Sequence, residues 1–122
     1  MVENYGWEGL TAVVEAGDLS MDPGTAKQCA RKCVEFADKL RVIRERAHQL
    51  GRVEGFGTLP SGLALKAKFE AKAVGGEYSM VQALTDHIDE VERMRTVFET
   101  IERRYAETEQ ANASMIGAID PE

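Results

Sequence analysis

Two groupings in this 122-residue chain have the residue types of a carboxylate–histidine metal site. Glu45 and His48 form an E-x-x-H pair, and Asp86, His87 and Glu90 lie close together further on. In di-metal helical bundles such residues project inward from facing helices. Here the inward positions beside the first pair are Ile43, Ala47 and Leu50, and Glu45 lies about 200° around a helix from Ile43, which turns it to solvent. His87 adjoins an apolar stripe without belonging to it. Both histidines therefore read as surface residues. Cys29 and Cys33 are four apart, one turn of a helix. No further ligand stands at metal-site spacing from them, and a disulfide within one turn is geometrically poor. They read as small core residues, with a disulfide to another chain as the alternative. No serine–histidine–aspartate or cysteine–histidine arrangement has local support. The stretch with Gly57, Ser61 and Gly62 lacks the lysine of a phosphate loop. The expectation is a protein that is not an enzyme, with no catalytic, cofactor or metal residues.

Tyr105 and Glu109 are a candidate of another kind. Four apart near the end of a helical pattern, they share one face as a mixed apolar and charged knob. By spacing alone the pair is weak, because it equally reads as a tyrosine closing an apolar stripe beside an unrelated carboxylate.

The elements that must position these residues are helical. At 43% hydrophobic and 30% charged, the composition suits one globular domain. A net charge of -6 argues against a nucleic-acid or anionic-membrane binder. The arginines Arg41, Arg44, Arg46, Arg93, Arg95, Arg103 and Arg104 interleave with acids. The pairs Glu90/Arg93, Glu92/Arg95 and Glu99/Arg103 predict a solvated, ion-paired face. No segment approaches the roughly 20 apolar residues of a membrane helix. No basic region followed by an apolar run opens the chain, so no general secretory signal peptide is expected.

Residues 1–20 read as an arm. Trp7, Leu10, Val13 and Val14 recur at helical spacing, predicting a short helix over about 8–15 that Gly17 ends and Trp7 docks. Asp22-Pro23 reads as the cap and first residue of a long helix over about 23–50. Its stripe is Ala26, Cys29, Ala30, Cys33, Phe36, Ala37, Leu40, Ile43, Ala47 and Leu50, ended by Gly51. Residues 51–61 form a turn around Phe56-Gly57-Thr58-Leu59-Pro60-Ser61-Gly62, with Phe56, Gly57, Pro60 and Gly62 as its key positions. A second helix comes next, over about 62–114, capped by Ser61. Its stripe includes Leu65, Phe69, Ala73, Met80, Leu84, Ile88, Val91, Met94, Phe98, Ile101 and Tyr105. Gly75-Gly76 interrupts it, but the steps from Ala73 to Gly76 to Met80 keep the stripe in phase, which favours one kinked helix. Residues 117–122 read as a flexible tail. The fold expected is an all-α antiparallel hairpin with a short N-terminal arm. A two-helix hairpin cannot cover so wide a stripe, so a dimer closing a four-helix bundle is expected. Its interface would draw on Phe36, Leu40, Ile43, Leu84, Ile88, Val91, Met94, Phe98 and Ile101.

Residues 21–116 resemble the WXG-motif family of type VII (ESX) secretion substrates, in its actinobacterial secretion-target branch. The resemblance rests on Met21-Asp22-Pro23, on the Phe56–Gly62 stretch, and on Tyr105 with Glu109, continued by Asn112 and Ile116. The bend carries Phe56-Gly57 where the family has W-x-G, and the one literal W-x-G, Trp7-Glu8-Gly9, lies in the arm. The resemblance implies a small hairpin that pairs with itself, a related helical protein or a larger effector. It implies an export signal at Tyr105 and Glu109 read by the type VII secretion machinery. The location it implies is the cytoplasm before export and the cell surface or medium afterwards. Three other readings fit the same residues: a cytoplasmic adaptor or chaperone for a toxin's N-terminal helices, a small metal-carrying bundle using Glu45, His48, His87 and Glu90, and a plain coiled-coil spacer.

Overall fold

Glycine and proline set where this chain stops and restarts its helices. The computed structural model describes residues 6–22 and 24–118. Four helices occur among them, and no strand: α1 (Trp7–Glu15), α2 (Thr25–Gln49), α3 (Pro60–Ala73) and α4 (Met80–Ala118). The chain is all-α. The expected cap pair falls partly on Pro23, which lies outside the described residues, as do residues 119–122 of the expected tail. Gly117 is helical rather than frayed.

The expected single helix from 62 to 114 is two helices. Gly75 has a φ of 83°, and Gly76 N–H donates to Ala71 O at 2.9 Å in the 6→1 pattern of a helix-ending turn. A Cβ on Gly76 would collide with Ala71 O. Tyr78 also takes a positive φ, of 44°. The buried Ser79 then restarts the chain, its Oγ accepting from Gln82 N–H at 3.2 Å. Ser79-Met80-Val81-Gln82 has the Ser-x-x-Gln spacing of a capping box, a signal the stripe obscures. The start of α3 also differs. Pro60 is its first residue, Leu59 is its cap without a side-chain bond, and Ser61 lies inside the helix. Proline's fixed φ suits that first position.

The chain divides into two units, Met1–Val34 with Glu92–Glu122, and Glu35–Val91. In the first unit, Val14, Ala26, Val97 and Ile101 form a buried cluster, with Trp7, Leu10, Met21 and Phe98 packed around it. The Trp7 and Phe98 rings are 5.8 Å apart between centroids. Ala26 meets Val97 and Ile101, whereas Cys33, later in α2, has the earlier α4 residues Glu92, Arg95 and Glu99 as its charged neighbours. The two helices therefore run in opposite senses within this unit.

In the second unit, Arg44 donates to Thr85 Oγ1 at 3.2 Å and ties α2 to α4. The 51–59 turn folds onto α3. Val53 N–H donates to Glu70 Oε2 at 3.0 Å, and the Phe56 and Phe69 rings stack at 5.7 Å. Gly62 sits so close to Phe56 O that a Cβ there would collide with it.

Candidate interaction surfaces

Tyr105 and Glu109 meet. The phenol donates to the Glu109 carboxylate, which pushes the Tyr105 pKa above its ordinary value, with slight desolvation and the negative charges of Glu109 and Glu102 adding to the rise. Both side chains are exposed, Tyr105 at 37%. Tyr105 also forms one wall of a cleft of about 250 Å3, with Ile101 and Arg104 beside it and Leu19 and Met21 opposite. Further along α4, Met115 and Ile116 are exposed at 64% and 72%. At about 100° per residue, Tyr105, Glu109, Asn112, Met115 and Ile116 fall on one side of the helix.

The arm is seated by α4. Val14 is fully buried and Val97 nearly so, although Val97 lies outside the stripe read from sequence. The extra burial arises because α1 covers a second face of α4, and the arm's own apolar spacing is the signal for it. Thr100, on the same face, is buried with its hydroxyl donating to Thr96 O at 2.7 Å. Three α4 arginines strap the arm: Arg93 Nε lies 3.3 Å from Glu8 Oε2, Arg103 Nη2 lies 3.5 Å from Glu15 Oε2, and Arg104 Nη1 donates to Glu15 O at 3.1 Å. The last bond satisfies a carbonyl at the C-terminus of α1, where a cation also suits the helix dipole. The expected partner of Arg103 is Glu99, but Glu99 sits 3.3 Å from Arg95 Nε, and Arg95 Nη1 is 3.2 Å from Glu92. The Arg95 Nε–Glu99 contact is an ion pair without hydrogen-bond alignment.

Of the expected interface residues, Leu40, Ile88, Val91 and Ile101 are buried within the chain itself. Leu84, Met94 and Phe98 are half-buried, whereas Phe36 and Ile43 are exposed at 52% and 44%. The seam of α2 is instead Ala26, Ala30, Cys33, Ala37, Leu40 and Ala47, all buried. Phe36, Ile43 and Leu50, seven apart, form an exposed line beside it. In the second unit this line reaches a groove of about 320 Å3 formed by Leu50, Val53, Phe56, Phe69, Ala73 and Met80, with Lys72 its charged lining residue.

Both cysteines are free thiols; Cys33 is buried and Cys29 partly so. Burial pushes the Cys33 thiol up, the charges of Cys29, Glu92 and Glu99 add to this, and Arg95 opposes it. Among the described residues, no three histidine, cysteine, aspartate or glutamate side chains group to hold a metal ion. No described helix is long and apolar enough to cross a membrane. Comparison with known proteins gives no match to a family model, to a curated protein or to a solved structure.

Proposed function

We propose that this chain is a small helical component of a type VII (ESX) secretion system, either exported itself or the small partner of a secreted effector. Its work is recognition. The observation that carries the reading is the Tyr105–Glu109 pair: an aromatic and a carboxylate four apart on an exposed stretch of α4, near enough that Glu109 raises the pKa of the phenol. Side by side on one exposed face, the two side chains have the form in which a Y-x-x-x-E signal would be offered to the export machinery. In this reading α2 and α4 are the arms of an antiparallel hairpin, supported by the opposed contacts of Ala26 and Cys33. A second helical chain completes a four-helix bundle by covering the exposed line of Phe36, Ile43 and Leu50. The protein then acts in the cytoplasm before export and at the cell surface or in the medium afterwards.

A second reading has its own support. The uncovered apolar groove beside Phe56 and Phe69 suits an adaptor that holds a client helix and stays inside the cell. One experiment separates the two. Tagged protein is expressed with its neighbouring gene product in an actinobacterial host that has a working type VII system. Wild type is expected in the culture filtrate, and Tyr105→Ala with Glu109→Ala in the lysate, folded and at normal abundance. Retention of both forms supports the adaptor. Export of both removes the pair as the signal.

A further inference from the structure

We infer that Tyr105 is a two-position side chain: its ring stands outward beside Glu109 in one position and fills the cleft between Leu19, Met21 and Ile101 in the other. The movement belongs to the chain alone. Only its consequence, that the knob is shown in one position and withdrawn in the other, rests on the export reading.

Helix geometry supplies the two positions. A tyrosine in a helix has two open χ1 settings, about 180° and about −60°, and both lean the ring back onto the residues three and four before it. For Tyr105 these are Glu102 and Ile101. At about 100° per residue, Glu102 and Glu109 lie roughly 60° and 40° to one side of Tyr105, and Ile101 and Thr108 lie roughly 40° and 60° to the other. The outward position is the one described above: the charges of Glu109 and Glu102 both act on the phenol, and Tyr105 is 37% exposed. The other side is where the cleft opens, lined by Ile101, Arg104 and Thr108 of α4 and by Leu19, Ser20 and Met21 of the segment after α1.

The far wall of the cleft is anchored, so the space persists. Gly17 N–H donates to Val14 O at 2.9 Å and Asp18 N–H to Val13 O at 3.1 Å, the pattern that closes a helix around a left-handed glycine, and Gly17 has a φ of 85°. Arg104 clamps the same turn through Glu15 O, and Met21 packs against the buried cluster of Val14, Ala26, Val97 and Ile101. An apolar cavity of about 150 Å3 is room enough for a benzene ring. The cleft holds about 250 Å3. Its apolar side chains would receive the ring, and the hydroxyls of Ser20 and Thr108 and the Arg104 guanidinium line the same space for the phenol oxygen. Turned inward, the ring gains apolar burial and leaves two carboxylates. Turned outward, it keeps Glu109. Each position offers what the other lacks.

The test is NMR of the full chain with ring-labelled tyrosine. It reads χ1 from coupling constants, ring contacts with the methyl groups of Leu19 and Met21, and relaxation of the ring signals by a soluble gadolinium chelate. Glu109→Ala removes the outward partner. It is expected to shift χ1 toward the Ile101 side, to strengthen the ring contacts with Leu19 and Met21 severalfold, and to slow relaxation by the chelate severalfold. Glu109 is exposed, so the fold should not change. Leu19, itself 37% exposed, can be enlarged to fill the cleft. Leu19→Phe combined with Glu109→Ala should abolish these changes. A Glu109→Ala protein whose χ1 is unchanged, or whose ring relaxes faster with the chelate, overturns the inference. So does an inward shift that persists with Leu19→Phe, because the ring then rests somewhere other than the cleft. None of these readouts involves export, so their failure leaves the export reading standing, and retention of the wild type inside the cell leaves the two positions standing.

Discussion

At the residue scale, the Tyr105–Glu109 bond makes a spectroscopic prediction. The phenol's pKa is raised chiefly because its proton is held by a carboxylate. In ring-labelled protein followed by NMR, Tyr105 should titrate above the ordinary tyrosine value, and Glu109→Gln should bring it back toward that value. An unchanged titration in the variant would mean the bond is not formed in solution. The sign for stability comes from linkage. A raised folded-state value favours the protonated phenol, so its contribution is present below the ordinary tyrosine value and lost as pH rises through the raised one. This pair is legible in the sequence as a spacing of four. The hydrogen bond is not, because spacing places two side chains on a face without fixing their rotamers. Phe36 and Ile43 show the same limit from the other side. Their steps of three and four match the stripe, yet the seam prefers the alanines and Cys33, which let another helix approach closely, and the larger residues stand beside it.

At the element scale, the break between α3 and α4 is where sequence periodicity fails. Ala73 and Met80 are seven apart, which is close to two full helical turns. An interruption of that length leaves the stripe in phase, so periodicity alone cannot see it. The local chemistry does carry the signal: Gly75 takes the left-handed conformation, and Ser79 caps the first turn of α4. Ser79→Ala should cost about 1 kcal/mol in chemical denaturation, the usual loss for a helix cap. Gly75→Ala should also destabilise, since its φ of 83° is one that side chains avoid. If Gly75→Ala were neutral or stabilising, the continuous-helix reading would return. The 51–59 turn is legible as a packed element, because Phe56 lies inside a run of glycines that needs a reason to be ordered. Its partner, Phe69, is not, since the turn's path depends on backbone conformations that no pattern encodes.

At the scale of the whole molecule, the arm completes the core of its unit. Val14 and Val97 are its most deeply buried large side chains, drawn from segments far apart in sequence. Val14→Ala should lower stability by roughly 2 kcal/mol, combining lost burial with the void left behind. Glu8→Gln and Glu15→Gln, which remove exposed ion pairs with Arg93 and Arg103, should each cost less than about 1 kcal/mol. Thermal unfolding that ranks these variants in the opposite order would mean that charge and not packing holds the arm. The arm's position along the chain has a further consequence, in time. Glu8 and Arg93 are 85 positions apart, and Glu15 and Arg103 are 88 apart. On the ribosome, at roughly 5–20 residues per second, Trp7, Leu10 and Val14 emerge some 4–17 s before their seat on α4 has been made. For that interval the nascent chain displays an amphipathic segment with no surface of its own to receive it, and closing so long a loop makes the docking of α1 a late event in folding.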